Sequence, residues 1–191
     1  MARKATPKQL PEDKLIDAAL ALAAEKPWSR VTMTDIASAA GVSLTEAYDA
    51  FSCRALLIVA LIRRHDRAML AGDDPSLAEE SRKDRLFDAI MRRLEAMRLQ
   101  KAGLKSMTTG AVGDMDTLLA VGPSMIKSAK WMLRAAGVSA DGPIGFVRSK
   151  VVLAVYAVTV QAFMADESDD LSSTMATLDK ALKRAGSVLG S

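Results

Sequence analysis

The sequence predicts an all-helical protein, and three observations predict it. Half of the 191 residues are hydrophobic while aromatics make up only 4%, and Ala, Leu, Met and Val carry the apolar content. No stretch sustains the two-residue alternation of a half-buried strand. Apolar positions instead recur three and four residues apart, as along one face of a helix. A chain of this length builds either one good core or a small head with a larger body. The single cysteine, Cys53, excludes an internal disulfide framework and fits a reducing compartment.

The elements follow in order. Residues 1–9 form a flexible basic arm through Arg3, Lys4 and Lys8, suited to lie along a minor groove or simply to be solvated. Leu15, Ile16, Ala19, Leu20, Leu22 and Ala23 mark the apolar side of a first helix. Thr32 caps a second, with Ile36, Ala37 and Ala40 facing inward, and Gly41 ends it in a left-handed conformation. Val42 fills the joint. Ser43 and Glu46, three residues apart, have capping-box spacing for a third helix, with Ala47, Tyr48 and Phe51 on or near its inner side. Two short helices about a glycine turn are the geometry of a helix-turn-helix, whose second helix enters a major groove. An ordinary helical hairpin fits the same spacing.

The run Thr32, Ile36, Ala37, Ala39, Ala40, Gly41, Val42, Ser43, Tyr48, Phe51, Arg54, Leu57, Ile58 resembles the N-terminal domain of the TetR family of bacterial transcriptional regulators. The resemblance spans roughly residues 10–70. It implies a homodimer with a DNA-binding head and a helical body that takes a small ligand. On double-stranded DNA it implies that Thr32, Thr34, Ser43 and Tyr48 anchor phosphates beside Arg54. Leu44, Thr45 and Glu46 would face the bases.

The head also departs from that pattern. Family members commonly place basic or small polar groups on the groove side, whereas Leu44–Ala50 holds Glu46 and Asp49 and no base. Carboxylates are repelled by phosphate, whose neutralisation by Lys and Arg supplies most of the affinity. Glu46 either accepts from a cytosine amino group or stays in its capping box. Cys53 stands where a serine usually caps the next helix. Residues 1–70 carry ten Lys and Arg against eight Asp and Glu, so charge alone does not single out a DNA-binding head.

Domain organisation is expected as an arm over 1–9, a helix-turn-helix domain over 10–54, a connecting helix over 55–70 and a ligand and dimerisation body over 71–191. The connecting helix buries Leu57, Ile58, Leu61 and Ile62. Gly72, Asp73, Asp74 and Pro75 make 71–76 the boundary. A long helix is expected over 79–100 through Leu86, Ile90, Met91, Leu94 and Met97, and a short one broken by Gly103, Gly110 and Gly113. Met115–Ala136 is expected to be helical but interrupted at Gly122-Pro123, and Gly137 closes it. Residues 144–165 and 170–187 are the last two helices and the expected homodimer interface.

The body carries a second resemblance. Arg85-Leu86-Phe87-Asp88-Ala89, Trp131-Met132-Leu133 before Ala135-Ala136-Gly137, and the stretch from Asp166 to Leu182 are similar to the COQ9 family. That family shares the TetR fold, binds lipid or isoprenoid and serves as an accessory protein of quinone synthesis. It implies an alternative in which the head is scaffold and no longer binds DNA. A protein-interaction module using the head as docking surface is a third class.

No catalytic constellation is visible. His65, the only histidine, sits among Arg63, Arg64, Asp66 and Arg67 and reads as solvated. No cysteine-histidine-carboxylate cluster has metal spacing, no phosphate-binding loop occurs, and no cofactor is implied. The apolar run Val151–Val160 is shorter than the roughly 20 residues of a spanning helix and reads as a core helix. No membrane insertion is expected, and the protein is expected in the cytoplasm. Met91, Met97, Trp131, Met132 and Phe146 are expected to line an apolar effector pocket, since methionine adapts to irregular ligands.

Overall fold

The chain enters its first helix, α1 (Pro11–Glu25), on a proline in the first turn, where the missing N–H costs nothing, with Glu12 and Asp13 beside it. The structure, a computed structural model, describes residues 10–72, 79–111 and 114–189. The described residues hold nine α-helices and no strand. After α1 come α2 (Met33–Ala40), α3 (Leu44–Ala50), α4 (Arg54–Ala71), α5 (Arg82–Met97), α6 (Lys101–Ala111), α7 (Met115–Ala135), α8 (Gly142–Ala165) and α9 (Ser172–Leu189). The fold is all-α, as composition and periodicity predict. The arm over 1–9, most of the expected boundary at 71–76 and the expected helix break at Gly113 lie outside the described residues.

The helices group into two compact units. One takes the described residues of Met1–Leu61 and Ala102–Ala120; the other takes those of Ile62–Lys101 and Val121–Ser191. Helix α4 begins in the first unit and ends in the second, and α7 changes unit between Ala120 and Val121, next to Gly122-Pro123.

In the first unit Leu15, Ile16, Ala19, Leu20 and Ala23 of α1 are buried with Ile36, Ala37, Ala47, Phe51 and Leu57. The same unit includes α6, and two of its glycines explain how. A Cβ on Gly103 would stand 2.4 Å from the Leu20 carbonyl oxygen, and one on Gly110 would stand 2.9 Å from Trp28 Cβ. Both contacts leave room only for hydrogen. The expectation that Gly103 and Gly110 break this helix is therefore corrected: α6 runs unbroken through both. Their helix-propensity cost of about 1 kcal/mol each is offset by the packing they permit. Ser106, one turn beyond Gly103, accepts the Trp28 N–H at 3.0 Å.

Helix α7 is likewise continuous across Gly122-Pro123, where an interruption is expected. Pro123 lacks the N–H that would bond the Leu119 carbonyl. Both residues are exposed, so water can serve that carbonyl. Gly137 adopts φ +68° and ends α7 as expected.

In the second unit α8 packs against α9, and both pack against α5. Helix α8 has 24 residues, more than the apolar run suggested, and is long and apolar enough to cross a membrane. It differs from a fully buried core helix, since only a third of its most apolar window is covered. Its buried Ser149 and Thr159 hydroxyls donate to carbonyls one turn back, at 2.7 and 2.8 Å, which satisfies them without a partner helix.

The sequence shows no charge in an apolar setting, yet the core of this unit contains one. Arg93 is 2% exposed. It donates to Tyr156 Oη at 3.0 Å, to the Ile62 carbonyl at 3.4 Å and to the Asp66 carboxylate, which also receives the Ser128 hydroxyl at 2.5 Å. Burying a charge is tolerated only with such pairing. His65, expected in solvent, is 4% exposed and bonds Gln100 at 2.9 Å. The charged residues around it in sequence hide that α4 turns this position inward.

Two predictions arise here. Gly103→Ala should lower the stability of the protein by about 1–3 kcal/mol, because the added carbon meets backbone that cannot move aside. A urea midpoint equal to that of the parent would contradict this contact. Burial holds His65 near pKa 4, below the usual 6.5, with Arg93 and Arg64 adding to the shift and the Gln100 bond opposing it. The folded state thus refuses a proton that the unfolded chain accepts below pH 6.5. Stability should fall from pH 6.5 to about 4, by about 3 kcal/mol at most. Urea denaturation across that range should show the slope, and His65→Gln should flatten it.

Candidate nucleic-acid interface

Two reciprocal capping boxes build the local geometry. Thr32 Oγ1 accepts the Asp35 N–H at 3.1 Å, and Asp35 Oδ2 accepts the Thr32 N–H at 2.9 Å, so α2 starts sharply. Ser43 Oγ accepts the Glu46 N–H at 3.2 Å, while Glu46 Oε2 takes the Ser43 N–H at 2.8 Å and its hydroxyl at 2.7 Å. Only the second box was legible in spacing. The first uses aspartate where glutamate is the familiar partner. Gly41, at φ +64°, turns the chain between the helices, and its N–H and that of Val42 reach back to Ser38 and Ala37. The result is a helix-turn-helix.

Asp35 is held down at about pKa 2, first by the Thr32 N–H, then by Lys26 and the Thr32 hydroxyl. Lys26 lies 2.9 Å from it. The ion pair is half-exposed, and such pairs add little energy. It nevertheless ties the end of α1 to the start of α2.

Helix α3 presents its expected face. Leu44 is 57% and Tyr48 68% exposed, and Thr45, Glu46 and Asp49 are also exposed. Tyr48 points outward, not toward the inner side that its spacing suggested. Ala47 and Phe51 alone carry the buried side of this segment. Thr32, Thr34 and Ser43 are exposed as well, so six side chains expected at DNA share accessibility with Glu46. That carboxylate is occupied by Ser43.

Arg54 is different. Its Nη1 donates to the Trp28 carbonyl at 2.8 Å and the Val31 carbonyl at 2.7 Å, and its guanidinium lies 5.3 Å above the Trp28 ring. The side chain expected at a phosphate thus secures the 3-10 turn Trp28–Arg30 between α1 and α2. Sequence reading missed this because nothing between Arg54 and Trp28, 26 residues apart, marks the pair.

The five residues expected around an effector differ in their exposure. Met97 and Met132 are buried and Met91 is half-buried, while Trp131 is 45% and Phe146 50% exposed. Arg134 lies over the Trp131 ring and Lys150 over that of Phe146. A hollow of about 10 Å³ in this unit is lined by Arg82, Lys83, Leu86, Val138, Leu182 and Leu189, none of them among the five. The described residues hold no cluster of metal-ligating side chains.

Comparison with known proteins gives a consistent setting. Residues 15–61 match the profile of the bacterial regulatory proteins, tetR family. No curated protein matches the sequence. A TetR transcriptional regulator from Nitrosomonas europaea superposes with TM-score 0.76 at 24% identity, covering 93% of this chain and 99% of its own. A TetR regulator from Rhodococcus sp. RHA1 gives 0.67 at 20% identity, over 91% and 94%. A putative TetR-family regulator from Rhodococcus sp. gives 0.61 at 15%, over 91% and 97%. Residues 15–61 are thus similar to the tetR regulatory family's N-terminal domain, and the fold is shared along nearly the whole chain with solved TetR transcriptional regulators.

Proposed function

We propose that this protein is a cytoplasmic transcriptional regulator that binds double-stranded DNA through α2 and α3 as a homodimer. The observation that carries the reading is the doubly boxed helix-turn-helix, with Leu44, Thr45 and Tyr48 projecting from α3. Nothing in the core of the head needs those side chains, so they are available to a groove. Thr32, Thr34, Ser43 and Tyr48 contact phosphate in this reading. Repression relieved by an apolar effector is its finer form. Such an effector enters the body by displacing adaptable side chains such as Met97, which sits 3.4 Å from the Tyr156 hydroxyl.

Retention of genomic fragments at low ionic strength tests DNA binding directly. The reading predicts salt-sensitive retention of a subset of fragments, and no retention of any fragment would contradict it. Arg54→Ala should weaken binding to all sequences and also lower the melting temperature, since it releases two carbonyls and a buried ring. Loss of binding at an unchanged melting temperature would assign Arg54 to phosphate alone.

Dimerisation through 144–165 and 170–187 is supported by the open apolar face of α8, where Ile144, Phe146, Val147 and Val158 are each 46–67% exposed. A two-fold interface presents such a patch from both subunits. Val158→Arg should therefore produce a folded monomer in sedimentation at micromolar concentration. Val155→Arg, at a position only 6% exposed, should instead unfold the unit. A Val158→Arg protein that remains dimeric would place the interface elsewhere.

A further inference from the structure

We propose that α3 selects its DNA site by apolar contact with the methyl group of C5-methylated pyrimidines, with Leu44 as the principal reader and Thr45 beside it. The inference rests on the DNA-binding reading and adds the chemistry of the recognised base edge.

The argument begins with what the recognition segment lacks. Between Val42 and Cys53 there is no Arg, Lys, Asn, Gln or His. Guanine is read chiefly by a bidentate Arg or Lys, and adenine by a bidentate Asn or Gln, so α3 has no side chain for either contact. Glu46 is the residue fit to accept from cytosine, but its Oε2 already takes the N–H and hydroxyl of Ser43. Moving it to a base would open the box that starts the helix, at a cost of about 1 kcal/mol. Asp49 lies at the far end of α3, one residue from its last.

What the helix does offer is apolar. Leu44 and Tyr48 are one turn apart and so share a face, and both are more than half exposed. A single exposed hydrophobe is unremarkable, but these two stand together on a seven-residue helix whose other exposed residues are Thr45, Glu46 and Asp49. Thr45, which follows Leu44 in the chain, is exposed as well and carries a methyl. In the major groove the one apolar feature of a base edge is the pyrimidine C5 methyl, present on thymine and on 5-methylcytosine. Shape and chemistry then agree: the methyl is shielded by Leu44 and Thr45, while the Tyr48 ring covers the adjacent sugar and phosphate.

Burying one methyl is expected to be worth a roughly three- to fourfold change in affinity. A genomic fragment retained by the full-length protein would be resynthesised with thymine, with uracil at every thymine, and with each T·A pair of the retained site replaced by a cytosine·guanine or a 5-methylcytosine·guanine pair. Uracil removes only the methyl. Affinity for the uracil fragment should fall at least threefold, and Leu44→Ala should bind the thymine and uracil forms alike. Leu44 is the exposed first residue of α3, so the variant keeps its fold. Recovery by 5-methylcytosine would identify methylated cytosine as a second source of the recognised group; no recovery would assign recognition to thymine. Equal binding of the thymine and uracil forms by the parent protein would overturn the proposal while leaving DNA binding intact. Failure to retain any fragment would overturn the DNA-binding reading itself, and this proposal with it.

Discussion

The first unit depends on how Trp28 is buried. At 1% exposure it is among the largest fully buried side chains, and a ring of that size removes on the order of 200 Å² from water. Its backbone is as important as its ring. The N–H is taken by Ser106 of α6, the carbonyl by Arg54 of α4, the Arg54 guanidinium lies over the ring, and Gly110 leaves room for the Trp28 side chain. The indole N–H has no partner among the described residues, a cost that the ring's burial must exceed. One residue in the link between α1 and α2 therefore joins four helices.

The second unit is held by a different kind of contact. Arg93 spans from α5 to α4 and α8 by charge-assisted bonds to Asp66, Ile62 and Tyr156. Removing one partner of a buried pair costs more than the pair contributes, so this network fixes which side chains meet without adding much stability. Asp166, buried at the end of α8, plays a related part. Its carboxylate accepts the N–H and hydroxyl of both Ser168 and Thr174, which pushes its pKa down and fastens the start of α9.

What was legible in the sequence was whatever depends on near neighbours. The Ser43–Glu46 box, the left-handed Gly41 and Gly137, and the apolar stripes of α1, α4 and α5 are all local, and all appear in the fold. What was not legible depends on residues distant in the chain. Gly103 and Gly110 read as helix breakers because propensity says nothing of a helix lying 80 residues away. His65 read as a surface group because its partner Gln100 leaves no local mark, and the contact of Arg54 with Trp28 leaves none either. The proposed site followed the same division. The exposure of Leu44 and Thr45 agrees with the family resemblance, whereas helical spacing alone put Tyr48 on the inner side, and Trp131 and Phe146 are about half exposed.

A direct test of the Trp28 joint is hydrogen exchange of the parent protein, read by mass spectrometry on peptides covering α1, the Trp28–Arg30 turn and α6. If Trp28 unites them, their slowest amides exchange with one common free energy of opening and respond together to urea. Exchange of the α6 amides orders of magnitude faster than those of α1 would show that α6 is not part of the head, and would contradict the account.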